Sequence, residues 1–211
     1  MKKVLSLLLA TLMVAMMAGS ALAADTDATD DMVKKAIASI TGEVTEARPF
    51  YDTDGNPVSG KQYVTIKAKD TEAPYTFAID EDTFLATNTK LEDIKAGDTF
   101  TGYYDPNLPV IMIYPPQYRA VAAAVNADTT ITVDVFDDTL LSSDTSLKIS
   151  IGEHTQVLDR DGSIYKGETI AGKLLAVYYD VVATSLPAQA TPDKIVVLSE
   201  GDKTKAPAYM A

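Results

Sequence analysis

Hydrophobic and polar positions alternate with period two through most of the chain. In "QYVTIKAK" Val64, Ile66 and Ala68 fall on one face, and in "YTFAID" Tyr75, Phe77 and Ile79 do so. "TITVDVF" alternates through Ile131, Val133 and Val135, and "LKISIG" through Leu147, Ile149 and Ile151. Such runs predict half-buried strands. They are short and separated by Gly, Asp, Asn and Pro clusters, which argues for β-sandwiches or barrels rather than a parallel sheet covered by helices. One stretch differs. Met32, Val33, Ala36, Ile37 and Ile40 recur at helical spacing, with Gly42 placed to end a helix. The spacing predicts a short helix over 30–40; the alternative is that 36–47 forms the first strand. The expected class is mostly β.

The pattern also repeats. "FAIDEDTFL" (77–85) aligns with "ISIGEHTQV" (149–157), matching Ile79 to Ile151 and Thr83 to Thr155. "IKAGDTFTGYYD" (94–105) aligns with "TIAGKLLAVYYD" (169–180), pairing Gly97 with Gly172. A P-x-Q triplet follows each, "PPQ" at 115–117 and "PAQ" at 187–189, and then an apolar run, "AVAAAV" or "KIVVL". Self-similarity at such a period marks repeated structural units. The expected organisation is a leader over 1–23, an acidic mobile segment with the short helix over 24–41, β-repeats over 42–125 and 126–200, and a tail over 201–211.

Adjacent tyrosines on a strand point to opposite faces. In each YYD one ring is expected inside the repeat and the other outward over the P-x-Q loop, with Asp105 or Asp180 closing the turn on a nearby amide. The motif serves either as a strand-end lock or as a recurring binding surface. The candidate binding residues are Tyr103, Tyr104, Tyr114, Gln117, Tyr118, Tyr178, Tyr179 and Gln189.

The I-x-x-x-T turn, the "IKAGD" lead-in, the YYD and the P-P-Q/P-A-Q loop together resemble an uncharacterised repeat domain of secreted proteins from anaerobic Gram-positive-type bacteria. That domain often sits beside one similar to the N-terminal region of copper amine oxidases. The resemblance implies two tandem small barrels, each like an oligonucleotide/oligosaccharide-binding (OB) barrel, and it implies no activity.

The N-terminus adds a compartment. Lys2 and Lys3, an apolar run from Val4 to Met17 and the small residues Ala21-Leu22-Ala23 form the pattern of a secretory leader cleaved after Ala23. The expected mature chain is extracytoplasmic and has no transmembrane span. Losing two lysines takes the basic residues from 18 to 16 against 30 acids, so the formal net charge moves from −12 to −14. That charge repels phosphate backbones, so nucleic acid is not an expected partner. With no cysteine, disulfides and thiolate metal sites are excluded.

Candidate chemistry is sparse. "DTDGN" (52–56) and "DRDGS" (159–163) resemble calcium loops, with Asp52, Asp54, Asp159 and Asp161 as weak candidate ligands. Neither completes the full loop pattern, and Asp-Gly between alternating strands is a hairpin signal in its own right. The acidic run Asp80-Glu81-Asp82 becomes Gly152-Glu153-His154 in the second copy. The single histidine, His154, excludes multi-histidine metal sites and lies in no nucleophile signature. No cofactor and no enzymatic activity are expected. Eleven tyrosines without tryptophan leave glycan binding open. The function expected is a secreted, non-catalytic envelope module contacting an envelope or extracellular protein. The alternatives are a self-assembling subunit that exchanges strands, and a glycan- or calcium-binding module.

Overall fold

The computed structural model describes residues 35–110 and 113–199. Residues 1–34, which hold the expected leader, the acidic segment and the start of the expected helix, and residues 200–211 lie outside the described residues. Fourteen strands and one short 3-10 turn make up the described chain, so the class is mostly β. In the first half they are β1 (Ala38–Tyr51), β2 (Pro57–Ala68), β3 (Pro74–Ile79), β4 (Phe84–Leu85), β5 (Thr99–Tyr104), β6 (Gln117–Arg119) and β7 (Ala122–Val125). In the second half they are β8 (Thr130–Val135), β9 (Leu147–Ile149), β10 (Gln156–Asp159), β11 (Leu174–Tyr179), β12 (Val182–Ala183), β13 (Ala188–Ala190) and β14 (Lys194–Ser199).

The first half is one seven-stranded sheet, ordered β4-β7-β5-β1-β2-β3-β6. β6, at one end of the sheet, runs in the chain straight into β7, next to the other end, through Ala120 and Val121, whose amides donate to Ala78 O and Tyr103 O. The sheet therefore curls strongly on itself. The second half holds a four-stranded sheet, β10-β14-β11-β8, and a three-stranded sheet, β12-β13-β9. Two closed OB-like barrels are thus not what the ladders form; the arrangement is a curled half-barrel followed by two smaller sheets. The physical reason lies after Phe136. Where the first half has the long β1–β2 hairpin, the second makes two tight turns. Leu140 N–H donates to Asp137 O and Thr145 N–H to Ser142 O, and only the isolated bridges Phe136↔Ser142 and Leu141↔Lys148 remain of a ladder.

In the described part of the segment expected to be helical, 35–40, there is no helix, and 38–40 are already strand, as in the alternative reading of 36–47 as the first strand; residues 30–34 lie outside the described residues. Ala38–Thr41 pair antiparallel with Tyr104–Thr101 of β5, so the first strand begins four residues before the expected repeat boundary at 42. Ala36, Ile37 and Ile40 owe their apolar character to different neighbours rather than to one helical face. Ile40 packs on the first core, while Ala36 and Ile37 pack between the halves.

Three apolar clusters hold the molecule. Val44, Ile66, Phe77 and Phe100 centre the first half, and Phe136, Ile149, Leu175 and Ile195 the second. The third lies between them, where Ala122, Ala124 and Tyr103 meet Val133, Ala176, Tyr178 and Val196. Burial of this last set makes one body of the two halves, since apolar area removed from water on both faces stabilises only the joined form.

Candidate functional site

The repeated tyrosines do not form a shared outer surface. Tyr104 and Tyr179 turn into their own halves. Tyr104 lies 4.2 Å from Tyr118 between ring centroids, and Tyr179 exchanges a hydrogen bond of 3.0 Å with Thr132 Oγ1. Their partners Tyr103 and Tyr178 cross to the other half. Tyr103 Oη donates to Ile131 O at 2.7 Å, and Tyr178 Oη donates to Ala86 O at 2.8 Å. Burial raises the pKa of both phenols, with the neighbouring Tyr178 and Tyr179 adding to the effect on Tyr103; Tyr178 is pushed up to about 12. Burial likewise raises Tyr104, with Tyr118 and Tyr75 contributing. The alternation of faces is as expected, but the outward ring is an interlock between halves rather than an exposed contact. The following aspartates differ: Asp105 Oδ1 accepts from Asn107 N–H, whereas Asp180 Oδ1 accepts the Thr129 hydroxyl.

The I-x-x-x-T turn is the same lock twice. Thr83 Oγ1 accepts from Asp80 N–H and donates to Ala120 O. Seventy-two residues on, Thr155 Oγ1 accepts from Gly152 N–H and donates to Pro192 O. A hydroxyl can serve both roles at once, which is why threonine suits the position. Each P-x-Q triplet starts at a cis peptide, Tyr114-Pro115 and Leu186-Pro187, and its glutamine enters a parallel ladder, Gln117 opposite Thr76 and Gln189 opposite Lys148. Tyr118 is half-buried against the first core, stacked near Tyr104 and Tyr75, while Tyr114 stands 82% exposed.

The weak calcium candidates sit in hairpin turns. Asp52 Oδ1 accepts from the amides of Asp54 and Asn56, and that bonding, the Asn56 amide foremost, lowers its pKa. Asp161 Oδ1 accepts from Ser163 N–H, which lowers its pKa, and Gly162 N–H donates to Asp159 O. Gly55 and Gly162 take the positive φ that these turns require. The Asp80 and Asp82 carboxylates both bind Arg119, at 2.9 and 2.8 Å. In the second half the matching pair is Gly152 against Thr191, where a Cβ on the glycine would press on the threonine methyl. His154 is exposed.

A groove of about 440 Å³ runs along the seam of the two halves. Ser39, Thr41, Thr99 and Thr101 on the outer face of β1 and β5 contribute hydroxyls, and the chain from Thr129 to Asp134 contributes the opposite side. Thr41 and Thr101 hydrogen-bond each other at 2.9 Å. One end is fixed by the arm before β1: Lys35 Nζ lies 3.2 Å from Asp144, and Ala36 N–H donates to Ser143 Oγ. Ser143 in turn donates through its amide and hydroxyl to Asp134, whose pKa burial raises despite these bonds. Burial also acts on Asp144, but the hydroxyls of Ser146 and Ser142, the Ser146 amide and Lys35 outweigh it and bring it down to about 2. Of the candidate residues drawn from the repeats, Tyr103 alone is among those lining this groove, and the hydroxyls around it were not anticipated. Its signal was present in the alternating hydroxyls at 39, 41, 99, 101, 130 and 132. Those positions gather in one place only because the two halves pack face to face.

No helix among the described residues is long and apolar enough to cross a membrane. Set against protein-family models and curated proteins, the chain matches none of them.

Proposed function

We propose that this is a secreted, non-catalytic module of the cell envelope, made of two copies of one small β unit, that works by contact with an envelope or extracellular protein. One observation carries the reading. The polar groups of the repeated motifs are consumed by internal locks, while the seam groove keeps the hydroxyls of Ser39, Thr99 and Thr130 exposed, groups that bind rather than react. The paired Thr83 and Thr155 locks support the duplication, the leader supports export, and the resemblance to a secreted repeat domain belongs to the same reading.

The test immobilises the chain from Ala24 onward and its Thr41→Phe variant, which fills the groove from an exposed position. Both are challenged with the protein and polysaccharide fractions of an envelope preparation. Retention of a defined protein, lost in the variant at unchanged melting temperature, is the expected result. Retention confined to polysaccharide would overturn it in favour of glycan binding.

A second reading, self-assembly, draws on a separate feature. Val181 and Leu186 are 81% and 101% exposed beside β12, an end strand of its sheet. Exposed apolar residues next to an open strand edge favour contact with another chain. Light scattering over a concentration series decides it: growth in mass supports assembly, and a constant monomer mass ends it.

A further inference from the structure

We infer that Asp54–Gly55, in the turn of the β1–β2 hairpin, is a site of spontaneous covalent modification. There the aspartate isomerises to isoaspartate, while the matching Asp161–Gly162 of the second half is held back. The inference is independent of the binding reading above.

An aspartate followed by glycine suits this chemistry because no side chain on the next residue hinders its nitrogen. The Gly55 nitrogen attacks Cγ of the protonated Asp54 carboxyl group. The N–H proton passes to water, the carboxyl hydroxyl leaves as water, and a five-membered succinimide closes. Water then opens the ring. Addition at Cγ restores aspartate. Addition at the main-chain carbonyl breaks its bond to the Gly55 nitrogen, and the chain then runs through Cγ with a carboxylate on Cα. One water leaves and one enters, so no other reactant is needed and the mass is unchanged.

Both copies carry the pair in the same kind of turn. Gly55 N–H donates to Asp52 O at 3.1 Å and Gly162 N–H to Asp159 O at 2.9 Å, and both glycines have positive φ. Residues 52–57 and 160–164 are all exposed. What differs is the carboxylate. In the first turn Asp52 takes the amides of both Asp54 and Asn56, and the Asp54 carboxylate accepts no hydrogen bond from the described residues. In the second, Ser163 N–H donates to Asp161 Oδ1 at 2.9 Å. That bond holds the Asp161 pKa below the ordinary carboxylate value and keeps the group ionised, and an ionised carboxylate is a poor electrophile.

The hairpins also differ in freedom. Ring closure needs the turn to open, since the attacking nitrogen is bonded within it. β5 pairs with β1 only over Ala38–Glu43, and β3 with β2 only over Gln62–Lys67. From Phe50 to Lys61 the first hairpin therefore has no third strand beside it among the described residues. The second is fastened. β10 lies against β14, and the Arg160 guanidinium donates to the carbonyls of Glu81 and Asp82 in the first half. Local opening costs less where fewer such bonds must break. Isoaspartate adds an atom to the main chain, so the bond from Gly55 to Asp52 and the Tyr51↔Pro57 pairing lose their register.

The test holds the chain from Ala24 onward in heavy-oxygen water at neutral pH for several weeks, then digests it and separates the peptides. The isoaspartyl peptide elutes apart from its parent, carries one heavy oxygen and is located by electron-transfer fragmentation. Conversion at Asp54 should lead that at Asp161 by about tenfold, the opening difference set by one charge-assisted hydrogen bond. Asp54→Glu changes an exposed carboxylate that holds nothing, requires a six-membered ring, and should lose the product. Arg160→Ala should raise conversion at Asp161. Equal conversion at the two sites, or faster conversion at Asp161, overturns the assignment. So does an unreacted Asp54 under conditions where the free peptide Tyr-Asp-Thr-Asp-Gly-Asn-Pro converts, because the turn then protects its own aspartate.

Discussion

The two halves run the same strand order with different means of completing it. β4-β7-β5-β1 in the first is matched by β10-β14-β11-β8 in the second, and the parallel pair β3–β6 by β9–β13. The threonine lock and the cis proline recur in register. What differs is the filling. The first half has a long β1–β2 hairpin, a tyrosine cluster around Tyr118 and an Arg119–Asp80 ion pair. The second replaces these with two tight turns, Ala190 and a bare Gly152–Thr191 contact. The comparison teaches that hydrogen-bonded locks fix the scaffold, while interior volume and strand count are free to drift.

Exchanging residues between halves tests this directly, and the largest effect is expected at Gly102. Its counterpart is Val177, but a Cβ at Gly102 would overlap the Phe77 ring. Gly102→Val should therefore cost about 3 kcal/mol by overpacking, read from urea melts. A cost near zero would show the two interiors to be interchangeable.

The crossing tyrosines come next. Tyr178→Phe leaves the buried Ala86 carbonyl without its donor and should cost about 2 kcal/mol. Tyr103→Phe should cost about 1 kcal/mol or less, because the Ile131 carbonyl sits at a groove that water can enter. Their raised pKa values also set a pH window. A phenol whose folded pKa exceeds the ordinary value near 10 contributes stability that is whole below pH 10 and is lost as pH rises toward 12. Alkaline titration should show unfolding begin in that range, with a shallower fall in Tyr178→Phe. A flat wild-type profile to pH 12 would contradict the interlock.

A smaller difference is expected between the two locks. Thr83→Val should cost about 2 kcal/mol and Thr155→Val about 1 kcal/mol, since Thr83 is buried and Thr155 half-buried. Equal costs would mean that burial does not scale the lock. The smallest effect is that of a chelator. With Asp52 and Asp161 engaged by their own turns, adding one should leave the melting temperature unchanged, whereas a drop would restore a bound cation to the hairpins.

The repeat, the strand alternation and the threonine turn were legible in the sequence because each is local: period two, a three-residue hydrogen bond, a glycine at positive φ. The destination of Tyr103 and Tyr178 was not. Alternation shows that adjacent rings diverge, but whether the outward ring meets water or another half depends on how two sheets meet. Over its described part, 35–40, the helical reading failed for a related reason. Ala36 and Ile37 are apolar because they fill the seam and Ile40 because it fills the first core, and together they imitate one helical face. The groove stayed hidden because its hydroxyls come from β1, β5 and β8, segments far apart in the chain.

The seam has a consequence for how such a chain arises and behaves. A lone first half would present Ala122, Ala124 and Tyr103 to water and would stick to whatever similar surface it met. Here that surface is tethered by only Asn126–Thr129, between β7 and β8. A tether this short sets an effective concentration on the order of millimolar or above. Each half carries its mate attached, so the pairing survives dilution at which two separate halves would drift apart.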